Sequence, residues 1–272
     1  MKLAGILPPL VTPFREDGGV DLPAFESNLE SYASSDLGGC LVLGSNGEAA
    51  SLEEEEKLAL VRAARRLCGS RPLLVGTGLE ATRSTIAFTR RVGDLGADAA
   101  LVLTPHYYKA QVSEEVLRRH FESVAEASSI PVLLYSVPAF TGIPFPPGLA
   151  SVLARHPNVA GMKESSGDLG LMGRILSSVP PSFAVACCAP GPSAALYRAF
   201  LAGDHPRARQ LQAALTPLAV AVTTTWGVAG LKAAMDAAGF RGGFVRAPLL
   251  PVPTTARAEL AAVLAQAVSA AG

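Results

Sequence analysis

Short runs of consecutive apolar residues recur along the chain, each closing in Gly, Thr, Ser, Tyr or Pro and each followed by a stretch with helical spacing. They occupy residues 6–11, 40–43, 73–75, 99–103, 132–135, 159–162 and 183–186. Near-continuous apolar strands, buried on both faces, are what a parallel sheet requires. Their starts fall roughly 25 to 33 residues apart, the size of a βα unit. The intervening segments carry helix-start signals. Ser51-Leu52-Glu53-Glu54 reads as a capping box. Ser113-Glu114-Glu115 puts acids in a first turn, where the helix dipole favours them. Gly38-Gly39 and Gly96-Ala97-Asp98 mark returns from helix to strand. Alternation of this length without a linker predicts an α/β fold of the TIM (β/α)8-barrel type, with a doubly wound open sheet as the competing architecture.

Beyond residue 189 the strand pattern stops, and residues 193–201, 206–222, 228–238 and 256–271 read as helices separated by Gly and Pro. The expected organisation is a β/α barrel over residues 1–190 and a C-terminal helical segment, 191–272, packed on the same domain. Only seven strands are counted. Hydrophobic residues make up 49% and charged residues 17%, enough for a sizeable core. The formal net charge is zero and the basic residues form no stripe, which argues against nucleic acid or an anionic membrane as partner. Cys40, Cys68, Cys187 and Cys188 show no CxxC, and adjacent cysteines bridge poorly, so reduced thiols in a cytoplasmic protein are expected. His106, His120, His156 and His205 lack metal-ligand spacing. Pro8-Pro9 interrupts any signal-peptide helix, and residues 211–231, the most apolar later stretch, are broken by Pro217 and Thr223-Thr224-Thr225.

Candidate chemistry begins with Lys163, at the end of Val159-Ala160-Gly161-Met162 in a chain whose other lysines are Lys2, Lys57, Lys109 and Lys232. A lysine at a strand tip can snorkel its head into water. Desolvation also disfavours its ammonium form, and a neutral amine attacks carbonyls to form a Schiff base. Active sites of parallel barrels lie at the C-terminal strand ends. Those ends read Gly44-Ser45-Asn46-Gly47-Glu48, Thr104-Pro105-His106-Tyr107-Tyr108, Tyr135-Ser136-Val137-Pro138 and Lys163-Glu164-Ser165. Tyr135 reads either as a core aromatic or as a phenol that shuttles protons beside Lys163. Amides at Ser45 and Asn46 would suit a carboxylate, although the stretch reads equally as a tight turn. Gly76-Thr77-Gly78 lacks the GxGxxG spacing of a dinucleotide loop.

Together these motifs resemble those of the dihydrodipicolinate synthase/N-acetylneuraminate lyase family. The likeness runs from Gly5-Ile6-Leu7-Pro8-Pro9-Leu10-Val11-Thr12-Pro13-Phe14 through Gly161-Met162-Lys163-Glu164-Ser165 to Gly230-Leu231-Lys232 and Arg246-Ala247-Pro248-Leu249. Within the family the chain is most similar to 4-hydroxy-2-oxoglutarate aldolases. The resemblance implies that Lys163 forms an imine with pyruvate or a derived keto acid and that Tyr135 shuttles the proton. Ser45 would link Tyr135 to Tyr107, which usually reaches in from a neighbouring subunit of a homodimer or homotetramer. Amides at Ser45 and Asn46 would hold the keto-acid carboxylate, and Ser165 would orient the distal end. No metal or dissociable cofactor is implied. The expected reaction is cleavage of 4-hydroxy-2-oxoglutarate to pyruvate and glyoxylate. The alternatives are 4-hydroxy-tetrahydrodipicolinate synthase activity and a catalytically impaired keto-acid binder. Two departures shape that ranking. Phe140 stands where synthases place a carboxylate-binding arginine. About one βα unit is missing near residues 183–190, so one family strand is expected to fuse with the next.

Overall fold

The computed structural model describes residues 5–33, 37–186 and 193–271. Among these, six strands are formed: β1 Cys40–Val42, β2 Leu73–Gly76, β3 Ala99–Leu103, β4 Val132–Ser136, β5 Val159–Glu164 and β6 Ala184–Ala186. The α-helices are α1 Leu22–Ala33, α2 Glu54–Cys68, α3 Thr82–Asp94, α4 Glu114–Ala127, α5 Pro138–Thr141, α6 Pro147–Leu153, α7 Leu169–Ser178, α8 Ser193–Leu201, α9 His205–Val220, α10 Gly227–Ala237 and α11 Thr254–Ala271. The fold is α/β, a shortened (β/α)-barrel succession followed by helices. The chain divides into two compact units: residues 72–188, and residues 4–71 with 189–272. The first βα segment thus belongs with the C-terminal helices.

In the first unit β2 to β6 pair in chain order, all parallel. Every residue of β4 is buried, as a sheet covered on both faces requires. Its core gathers Leu134, Met162, Phe121, Phe145, Leu149 and Ile175. Ser113 caps α4, its hydroxyl accepting the Val116 amide at 3.3 Å, and Glu114 and Glu115 fill the first turn as the sequence indicates. The Gly76-Thr77-Gly78 turn has a packing cause: a Cβ on Gly78 would collide with the Leu103 backbone.

The second unit holds β1 and the C-terminal helices, with a core that includes Val11, Leu215, Leu231, Ala256 and Leu260. Two expectations are corrected here. Residues 6–11 contribute only a parallel bridge, Pro9 to Leu41. Proline has no amide to donate, so the pairing reduces to Leu10 N donating to Leu41 O at 2.8 Å and Leu41 N donating to Pro8 O at 3.1 Å. The capping box at α2 lies two residues later than expected. Glu53 is the cap and its amide donates to Glu56 Oε2 at 2.9 Å, while Ser51 closes a 3-10 turn over Ala49–Ser51. Cys40 and Cys68 are buried thiols outside any disulfide; the run expected at 183–186 forms β6, while Cys187, Cys188 and the rest of the expected fused strand lie outside the described residues.

A buried ionic network organises this second unit. Lys232 Nζ lies 2.5 Å from Glu48 Oε1, with both side chains buried, and donates to Phe244 O at 2.5 Å. Arg246 pairs with both Glu56 oxygens at 2.6 and 2.7 Å, and its amide donates to Glu48 Oε2 at 2.9 Å. The ring of Phe14 lies beneath both cations, 4.5 Å from Lys232 Nζ and 4.4 Å from Arg246 Cζ. Burial pulls the Lys232 ammonium below its ordinary pKa, against the opposing hydrogen bond and charge of Glu48. Removing one member of such a pair leaves the other charge uncompensated. Lys232→Met is therefore expected to cost about 3–5 kcal/mol in denaturant unfolding. A loss within about 1 kcal/mol, the worth of an exposed pair, would show that solvent already screens it.

Candidate active site

Adjacent parallel strands bring two of the expected residues together. Tyr135 on β4 is in register with Lys163 on β5. Lys163 is 8% exposed and Tyr135 is buried. Lys163 Nζ stands 3.7 Å from the centre of the Tyr135 ring and donates to Ser165 Oγ at 3.1 Å. The ring face attracts the ammonium, and a desolvated contact of this kind is worth about 2 kcal/mol. Lys163, Tyr135 and Ser165 thus form one cluster at the C-terminal ends of β4 and β5.

The carboxylate that fixes the turn beside this cluster is Glu164, a residue whose role no sequence pattern announces. Glu164 is buried and faces away along the alternating strand pattern. It accepts Ser136 Oγ at 3.3 Å, the Ser166 amide at 3.0 Å and Ser166 Oγ at 2.9 Å. Ser165 N donates to Ser136 O at 2.9 Å, extending the ladder beyond Lys163. Asp168 then caps α7 by accepting the Leu171 amide at 2.9 Å. A buried carboxylate demands such partners, and they hold the turn that presents Ser165.

Tyr107 is not part of the cluster within its own chain. Its side chain is 74% exposed and meets the equally open Tyr108 edge-on, with ring centres 5.0 Å apart. The backbone beneath is firmly held. Glu80 Oε2 accepts the amides of His106 and Tyr107 at 2.9 and 2.8 Å, and Glu80 Oε1 lies 2.9 Å from His106 Nδ1. Nothing in the sequence near Glu80 announces this role; the partners meet only because β2 and β3 are neighbours.

Ser45 and Asn46 lie in the second unit, in a 3-10 turn over Ser45–Gly47. Its closing bonds run from Gly47 N to Gly44 O and from Glu48 N to Ser45 O, both 3.0 Å. Thr12 Oγ1 donates to Gly47 O at 2.8 Å, and Glu48, at φ 51°, leads into the Lys232 pair. Gly47 and Glu48 thereby anchor this turn.

This is a parallel β/α protein with Lys163, Tyr135 and Ser165 brought together at the C-terminal ends of β4 and β5. The Dihydrodipicolinate synthetase family model matches residues 2–191 and 184–267, and the chain belongs to that family. The two matches overlap at residues 184–191, where the sequence places the fused strand. A 4-hydroxy-tetrahydrodipicolinate synthase of Exiguobacterium sp. is 33% identical over 286 aligned positions, covering 96% of this chain and 97% of the relative. Those positions outnumber the 272 residues of the chain, so the relative carries residues that are missing here. The dihydrodipicolinate synthase DapA-2 of Bacillus anthracis superimposes with a TM-score of 0.91 at 26% identity, covering 97% of this chain and 98% of that one. A prophage protein of the dihydrodipicolinic acid synthase family from E. coli K12, solved in complex with pyruvate, gives a TM-score of 0.89 at 29% identity, covering 98% and 99%. The chain therefore stands among pyruvate-dependent carbon–carbon lyases and synthases. The curated relative's name matches the synthase alternative better than the 4-hydroxy-2-oxoglutarate cleavage expected first. No described helix is long and apolar enough to cross a membrane.

Proposed function

We propose that the protein condenses pyruvate with aspartate semialdehyde, as a 4-hydroxy-tetrahydrodipicolinate synthase, through a Schiff base on Lys163. The observation that carries the chemistry is the register pairing of Lys163 with Tyr135, which sets Nζ 3.7 Å from the phenol ring centre. Lys163 gives up a proton from its ammonium, and the resulting amine attacks the pyruvate keto carbon to give a carbinolamine. Tyr135 relays the proton that lets water depart, leaving the imine. Loss of a methyl proton then gives an enamine, with the imine as electron sink. The enamine carbon attacks the aldehyde, forming the new C–C bond, and the aldehyde oxygen takes up a proton. Water or the substrate's own amine releases the product from Lys163.

Supporting roles follow the family resemblance. By the resemblance alone, Ser45 and Asn46, which lie in the second unit, are residues for a keto-acid carboxylate. Ser165, held by the Lys163 ammonium at 3.1 Å, orients the distal end. Tyr107, exposed on its own chain, is assigned to the site of a neighbouring subunit in a homodimer or homotetramer.

A second reading, cleavage of 4-hydroxy-2-oxoglutarate, is favoured by Phe140, whose ring cannot pair with a carboxylate. The missing βα unit favours a third, binding of a keto acid without turnover. Rates measured under matched conditions for both reactions decide among them. Faster condensation is the expected result. Faster cleavage would install the aldolase reading, and pyruvate binding without either reaction would identify an impaired relative.

A further inference from the structure

Phe140 leaves the turn after β4 without a cation, yet a cation is present there. Lys109 opens the 3-10 turn Lys109–Gln111 that follows β3, the strand beside β4. The end of its side chain lies along Gly142: a Cβ placed on that glycine would sit 2.7 Å from Lys109 Nζ, 3.4 Å from Cε and 3.7 Å from Cδ. Gly142 ends α5 with φ +65°, a conformation that suits glycine, and its missing side chain is what makes room for the lysine. Phe140, two residues before it, is 65% exposed. Lys109 forms no ion pair among the described residues.

The position relative to Lys163 fits a substrate held at both ends. β3, β4 and β5 are consecutive neighbours, and Lys109 and Lys163 both follow the C-terminal direction of this sheet. Adjacent strands lie about 4.8 Å apart, so the ends of β3 and β5 are about 10 Å apart. Lys109 itself reaches from beyond β3 to Gly142, on the turn after β4, the strand that pairs with the Lys163 strand. An anion at the far end of an aldehyde substrate would meet the Lys109 ammonium beside the Phe140 turn.

We infer that Lys109 supplies the positive charge absent at Phe140 and selects an aldehyde that bears a carboxylate. The inference rests on the Schiff-base reading above and deepens it. It also removes the reason for ranking condensation below cleavage, because the carboxylate's counter-charge comes from the neighbouring loop rather than from the position of Phe140. Arginine at the family position would donate a planar fork; a lysine offers a point charge on a flexible stem, giving looser control of carboxylate orientation.

The test is steady-state kinetics of wild type, Lys109→Met and Lys109→Arg with pyruvate and either aspartate semialdehyde or uncharged propanal. Borohydride trapping of pyruvate on the wild type runs alongside. A charge-assisted hydrogen bond predicts that Lys109→Met raises KM for aspartate semialdehyde, relative to KM for propanal, by roughly ten- to a hundredfold. Lys109→Arg should recover most of that ratio. An unchanged ratio, or equal loss with both aldehydes, overturns the assignment while wild-type trapping leaves the Schiff-base reading standing. Absence of a trapped adduct in the wild type removes that reading, and the role of Lys109 falls with it.

Discussion

Lys163→Met is expected to lower turnover by roughly a thousandfold or more while the protein remains folded. Methionine keeps a straight, unbranched chain of similar bulk at a buried strand position, so packing against β4 is largely retained. What disappears is the amine proposed as nucleophile. The cation over the Tyr135 ring is lost too, at a cost of about 2 kcal/mol or less. A thermal unfolding midpoint shifted by only a few degrees, beside a collapsed rate, separates chemistry from folding. Substantial residual turnover in the purified variant would mean that no imine at this position carries the reaction.

Tyr135→Phe should follow with a loss of roughly a hundredfold or more in kcat and a much smaller change in KM for pyruvate. The substitution preserves the ring that packs on β4 and that faces Lys163 Nζ. Only the hydroxyl is removed, and with it the group proposed to move protons as the carbinolamine forms and dehydrates. An unchanged kcat would reduce Tyr135 to a packing residue. A rise in KM without loss of kcat would assign it to binding alone.

The strand pattern was legible because a parallel sheet buries both faces and leaves uninterrupted apolar runs. The run at residues 99–103 is β3, Ala99–Leu103, and α8 covers the expected residues 193–201. The failures have local causes. Residues 6–11 are apolar enough for a strand, but consecutive prolines remove its donors and leave a bridge. At α2 the acidic run offers several capping choices, and the backbone turn at Ala49–Ser51 takes Ser51 out of contention.

The candidate site was legible to a different depth. Lys163 and Tyr135 could be placed together because both close strands at equivalent heights, and their register pairing follows. Partnerships between distant residues left no comparable signal. Glu48 and Arg246 meet across 198 residues of sequence, and neither position announces the other. The same is true of Glu80 beneath Tyr107 and of Lys109 beside Gly142. Sequence shows that position 140 holds Phe and no cation, whereas the approach of Lys109 to Gly142 is visible only in the fold.

The most direct measurement is reduction with borohydride in the presence of pyruvate, followed by peptide mapping. The account predicts one covalent adduct, on Lys163. Lys232 is the instructive control: it is also buried, but its amine is held by Glu48 and the Phe244 carbonyl. An adduct on Lys232, Lys109 or Lys57 instead of Lys163, or no adduct at saturating pyruvate, would contradict the account.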